Sequence, residues 1–273
     1  MLPSHRGSDR LPFSGPLDPR FFHCGPSHEE ALARLHFLVD QGCRLGLVLG
    51  RSGTGKSWLL EVFARALAAS GAQVVCTSLT GIDGHELLWR VAAQLGAGPL
   101  PGEHLFRLWR RVDACLAESA LFARTTAVLL DNADEAAGDV LPHVIRLAEC
   151  DRSGEARVTL VLSANVDRLR RLGPRLVELA SLRVDLHPWQ ESETVAHVES
   201  VLAGTLGPVS RFTAGAMARL HELAGGVPRR INQLADLALV AGAGGGLSQI
   251  DEATVDGVYH ELNAHLHPAP APA

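Results

Sequence analysis

Eight consecutive residues, Gly50-Arg51-Ser52-Gly53-Thr54-Gly55-Lys56-Ser57, combine what a chain of phosphates needs in order to be held. Gly50, Gly55, Lys56 and Ser57 fit the spacing of a phosphate-binding loop, with an apolar run before them and a helical pattern after. The glycines let the backbone wrap closely, so that amide N–H groups and the positive end of the following helix point at the phosphates. Lys56 brings a compact charge to the outer phosphates and Ser57 an oxygen to a magnesium ion. Every other one of the 25 Lys/Arg positions in the chain is arginine, so Lys56 is the single lysine, set where the loop wants an ammonium rather than a planar fork. Gly50 through Trp58 is therefore taken as the nucleotide-binding segment, with a nucleoside triphosphate and magnesium as its ligands.

A second group stands at the end of Ala127-Val128-Leu129-Leu130-Asp131, where an apolar strand delivers a carboxylate to the sheet edge beside the loop. There Asp131 is expected to share the magnesium shell with Ser57. Hydrolysis also needs a group that orients or deprotonates water. The next residue, Asn132, can orient water but is no useful base. Asp134 and Glu135 follow, and each reads equally well as a solvated turn acid.

The elements that must position these groups follow from the apolar periodicity. A helix is expected from Ser27, read as the start of a capping box, to about Gly42, then a strand over 45–49 and a helix over 56–69. Further strands are expected near 72–78, 125–130, 156–162 and 183–186, with helices near 85–95, 104–118 and 140–149 and a variable stretch over 163–182. Short apolar strands alternating with helices imply a three-layer α/β fold with a mostly parallel sheet. From Glu191 the strands cease, and helices are expected near 191–203, 214–224, 228–241 and 251–262, with Ala241–Gly246 as a loop. The expected division is an irregular segment over 1–20, a nucleotide-binding α/β domain over 21–188, a helical lid over 189–264 and a disordered tail over 265–273.

Composition narrows the function class. With 47% hydrophobic residues among 273, a substantial core is available. The net charge of -5 gives no overall basic field for nucleic acid. The five cysteines are odd in number and widely spaced, as in reduced thiols of a cytosolic protein. No apolar run has the length of a membrane span, so the expected location is the cytoplasm, with peripheral membrane association through a partner left open.

With these motifs in place, the chain resembles the AAA+ superfamily of P-loop ATPases, and within it the general secretion pathway protein A type, which is related to helper ATPases of transposition systems. The resemblance runs from about Asp18 to Leu262. Asp18-Pro19-Arg20-Phe21-Phe22 and Ser27-His28-Glu29-Glu30-Ala31-Leu32 look like the family's opening segment, which implies packing near adenine. It implies a sensor-one role for Asn165, with helix capping as the alternative. Gly226-Val227-Pro228-Arg229-Arg230-Ile231-Asn232-Gln233-Leu234 is similar to the sensor-two signature, which gives Arg229 first, and Arg230 second, a role toward the phosphates. An arginine in a first helical turn is disfavoured by the helix dipole and so has reason to meet an anion.

An arginine contributed by a neighbouring subunit is implied among Arg168, Arg170, Arg171, Arg175 and Arg183, with Arg175 and Arg183 best spaced. Where the family generally reads Asp-Glu-Ala-Gln, this chain reads Asp131-Asn132-Ala133-Asp134, which removes the expected catalytic glutamate. The implied activity is ATP binding and hydrolysis that drives a conformational change in a partner or in a homo-oligomer. A nucleotide-dependent regulator with weak hydrolysis and a DNA-linked helper remain as alternatives.

Overall fold

The computed structural model describes residues 11–13, 25–150, 157–206 and 211–266. The backbone divides into two compact units, one spanning Pro26–His187 and the other beginning at Pro188 and taking in Phe13.

In the first unit five parallel strands, β1 (Leu45–Gly50), β2 (Gln73–Ser78), β3 (Thr126–Asp131), β4 (Val158–Asn165) and β5 (Leu182–Leu186), lie in the order β2-β3-β4-β1-β5. The strands are apolar almost throughout because both faces are covered, and alternate residues feed two cores. Val48, Leu129, Val161 and Val184 pack with α1 (Pro26–Asp40) and α2 (Lys56–Ala69). Leu47, Val128, Leu130 and Leu162 pack on the other face with α3 (Gly84–Gln94), α4 (Leu105–Leu121), α5 (Val140–Glu149) and the short α6 (Gly173–Leu179).

Several local expectations are corrected. The first helix begins at Pro26, so Ser27 lies inside the first turn rather than capping it; proline needs no N–H partner there. Strand β4 continues to Asn165, because Ser163 and Ala164 pair in register with Val48 and Leu49 of β1. The stretch after it is ordered as a 3-10 segment, Val166–Leu172, followed by α6.

The second unit is helical: α7 (Glu191–Leu206), α8 (Ala214–Ala224), α9 (Pro228–Gly244) and α10 (Glu252–Leu266). Its core gathers Trp189, Val198, Leu202, Phe212, Leu220, Ile231, Leu234 and Val255. Helix α9 runs on through Gly244, so most of the expected loop over Ala241–Gly246 is helical; Ile250 packs on Gly242 at a spacing that leaves little room for a side chain. Asp236, buried in α9, accepts the backbone N–H of Phe13 at 2.9 Å.

Candidate functional site

The site is assembled at the C-terminal ends of three neighbouring strands. The loop leaves β1 at Gly50 and enters α2 at Lys56. Gly55 has φ 96°, a left-handed conformation that a side chain strains, and a Cβ there would come within 2.8 Å of the buried His28 ring. At Gly50 a Cβ would lie 2.6 Å from Thr54 Oγ1 and 2.9 Å from the Leu186 carbonyl, so the loop can close only over glycine. The fully buried Thr54 hydroxyl donates to the Arg51 carbonyl at 2.9 Å and ties the loop across its own base. Lys56 Nζ is nearly buried and donates to the carbonyls of Gly50 at 2.8 Å and Arg51 at 3.0 Å. Its ammonium is thereby held along the loop. Ser57 is exposed beside it, and Ser52, Gly53 and Trp58 complete the segment with Ser52 at the surface.

The end of β3 lies against the start of α2. Ser57 Oγ donates to Asp131 Oδ2 at 2.6 Å, while the hydroxyl of Ser163 donates to Asp131 Oδ1. Ser163, fully buried in β4, also accepts the Asn132 backbone N–H at 3.0 Å. Asn132 has φ 57° and ψ 44°, a left-handed backbone that asparagine tolerates better than most residues. Its side-chain amide donates to Ser78 Oγ at 3.3 Å and to Asp131 Oδ2 at 3.4 Å. Sequence reasoning missed Ser163 and Ser78. A serine interrupting the apolar run Val158–Ala164 was the available signal for the first, since a buried hydroxyl needs a partner.

Asp134 is not the solvated turn acid that its sequence neighbourhood allowed. It is 4% exposed and accepts the Asn165 N–H at 2.8 Å. Glu135 accepts the Thr80 hydroxyl at 2.9 Å and lies 3.6 Å from Arg168. Asn165 pairs in register with Gly50, at the very start of the loop, and its Oδ1 accepts the Asp167 N–H at 3.1 Å, which is the capping geometry. Cys76 of β2 has its thiol pushed above its ordinary value by burial first, then by the Glu61 and Asp131 carboxylates, so it stays protonated at neutral pH.

Of the other predicted arginines, two are paired within the first unit. Arg175 is ion-paired with Glu149, and Arg183 with Asp185 on its own strand at 2.8 Å. Arg229 and Arg230 occupy the first turn of α9, both exposed, and neither has an ion-pair partner among the described residues. The turn that presents them uses Gly225 and Gly226, at φ 62° and 67°, with Gly226 accepting the Trp189 N–H at 2.8 Å. Asp18–Phe22 lie outside the described residues.

The donor set suits a nucleotide with its metal. Among the described residues there is no group of three or more His, Cys, Asp or Glu side chains that could hold a metal alone. One serine and one aspartate beside a phosphate loop are what magnesium uses when phosphate oxygens and waters supply the other positions.

A parallel five-stranded sheet, with a glycine-rich loop from β1 into α2 and a carboxylate ending β3, defines an α/β P-loop NTPase. Residues 39–172 match the family model described as an AAA domain. The chain is 29% identical over 271 residues to General secretion pathway protein A of Aeromonas hydrophila, covering 94% of this chain and 48% of that protein. It thus spans about half the length of that relative. Among solved structures, the Aeropyrum pernix ORC1 protein in complex with DNA superposes with a TM-score of 0.66 at 17% identity, covering 90% of this chain and 68% of that one. CDC6P from Pyrobaculum aerophilum gives 0.67 at 18% identity over 95% of this chain and 74% of that one. The Thermotoga maritima RUVB Holliday junction branch migration motor gives 0.59 at 15% identity, with 92% and 74% covered. The chain is thus similar to the AAA+ P-loop ATPases, of the general secretion pathway protein A type.

Proposed function

We propose that this chain is an ATP-binding switch that couples nucleotide and magnesium at Gly50–Ser57 and Asp131 to a conformational change in a partner protein or assembly. The observation that carries the reading is the 2.6 Å hydrogen bond between Ser57 Oγ and Asp131 Oδ2, which joins the two oxygens suited to one magnesium ion. Magnesium, when bound with ATP, would neutralise phosphate charge and orient the terminal phosphoryl group. Lys56 is assigned to the outer phosphates, the loop amides to the phosphate chain, and Asn165 to a polar position near the attacking water. Arg229 is assigned the nucleotide-sensing role that the sensor-two likeness implies, and Arg175 or Arg183 the role of an arginine offered to a neighbouring subunit.

A second reading, a nucleotide-dependent regulator that hydrolyses ATP weakly, is favoured by one observation. The residue after Asp131 is an amide, and the two nearest acids, Asp134 and Glu135, are already engaged by Asn165, Thr80 and Arg168. Neither of these two acids is uncommitted and ready to act as a base. Steady-state ATPase measured beside ATP affinity in wild type, Lys56→Ala and Asn132→Glu separates the readings. Brisk wild-type turnover abolished by Lys56→Ala supports the ATPase. Tight binding with negligible turnover, raised by Asn132→Glu, supports the regulator. A DNA-linked role would require ATP-enhanced, salt-sensitive DNA binding.

A further inference from the structure

Helix α4 presents an outward face whose composition does not suit solvent. Phe106 is 67% exposed, Leu121 86% and Phe122, the residue that closes the helix, 69%. On a helix, Phe106, Arg110, Ala114, Ala117 and Leu121 follow the i, i+4, i+8, i+11, i+15 spacing of one stripe. All five are exposed. The stripe makes a ridge about 22 Å long, bulky and apolar at both ends and small in the middle. The inner face of the same helix, Leu108, Trp109, Val112 and Leu116, is already used by the core. Arg107 and Glu118 flank the stripe, and neither Arg110 nor Glu118 has an ion-pair partner among the described residues.

The charges select the occupant. One oppositely charged pair is placed symmetrically about Ala114, Arg110 four residues before it and Glu118 four after, and so are two aromatics, Phe106 eight before and Phe122 eight after. We propose that this face binds a second copy of the same chain, α4 packing antiparallel on α4 about a two-fold axis at Ala114. A two-fold interface uses the same patch on both molecules and must be complementary to itself. In this pairing Arg110 of one copy lies level with Glu118 of the other, and Phe106 with the partner's Phe122. Ala114 and Ala117 let the two helix backbones approach at the centre. A parallel pairing would set Arg110 against Arg110 and Glu118 against Glu118, so the charge pattern rejects it.

This dimer is separate from the nucleotide site and forms without ATP. The test is sedimentation velocity of the whole chain over a concentration series in the absence of nucleotide. Wild type and Lys56→Ala are expected to pass from monomer to dimer alike. Arg110→Glu and Glu118→Arg should each weaken the dimer by about tenfold or more, and the double variant should return close to wild type, because the swapped charges again face opposite partners. Ala114→Arg, at an exposed position that leaves the monomer folded by circular dichroism, should abolish it. A wild type that stays monomeric at its highest soluble concentration overturns the proposal and leaves this face to a different protein. So does an assembly that needs ATP and disappears in Lys56→Ala, or a dimer indifferent to Ala114→Arg.

Discussion

Two sets of polar residues, one in each unit, are treated in opposite ways. At the strand ends of the first unit, Ser57, Asp131, Ser163, Asn132 and Ser78 are linked in one continuous hydrogen-bond network. In the second unit the conspicuous polar pair, Arg229 and Arg230, stands exposed with no ion-pair partner among the described residues, on a turn fixed by Gly225 and Gly226. The difference separates a preorganised site from an uncommitted charge. A network whose members hold one another costs little reorganisation when it binds, whereas a free guanidinium in a first helical turn gains energy only when an anion appears.

The comparison can be broken from either side. The largest effect is expected for Lys56→Ala. Removing the ammonium proposed to reach the phosphates should weaken ATP binding about 100-fold, the worth of two charge-assisted hydrogen bonds at roughly 1.4 kcal/mol each. Titration calorimetry reads this directly, and an unchanged affinity would place the nucleotide elsewhere. Next is Ser163→Ala. It leaves Asp131 Oδ1 and the Asn132 N–H without their shared partner and should lower stability by about 1–3 kcal/mol in urea unfolding. A neutral result would mean that the network relaxes without that serine.

Asn132→Glu sharpens the comparison further, because the residue sits at φ 57°. A glutamate held in that backbone should cost about 1–2 kcal/mol, seen as a lower melting temperature, whatever it does to turnover. Arg229→Ala should be the mildest for stability, within about 0.5 kcal/mol, since it breaks no hydrogen bond or ion pair among the described residues. Its effect should appear only in the ATP-bound protein, as a reduced protection of the chain against proteolysis. An equal loss of protection without nucleotide would make Arg229 a structural residue.

The loop, the strand entering Asp131 and the alternation of strands with helices were all legible in the sequence, because spacing and apolar periodicity encode them locally. What could not be read depends on pairing across the sheet. Ser163 becomes a partner of Asp131 only because β4 lies beside β3, and Asn165 reaches Gly50 only because β4 also pairs with β1. The left-handed turn at Asn132 and the burial of Asp134 have the same origin: the 3-10 segment Ala133–Glu135 folds back onto the end of β4, where the Asn165 N–H awaits an acceptor. At Ala241–Gly246 the glycine content pointed to a loop, yet packing of Ile250 against Gly242 prolongs α9. Tertiary contact there outweighs a propensity penalty of about 1 kcal/mol per glycine.

The central claim, that the loop and Asp131 form one site for ATP with magnesium, is tested most directly by the magnesium dependence of ATP affinity in wild type, Ser57→Ala, Asp131→Asn and the double variant. The account expects wild type to bind ATP more tightly with magnesium than with a chelator. Each single variant should lose most of that gain, and the double variant little more than either single one. Full magnesium dependence in Asp131→Asn, or losses that simply add in the double variant, would contradict it.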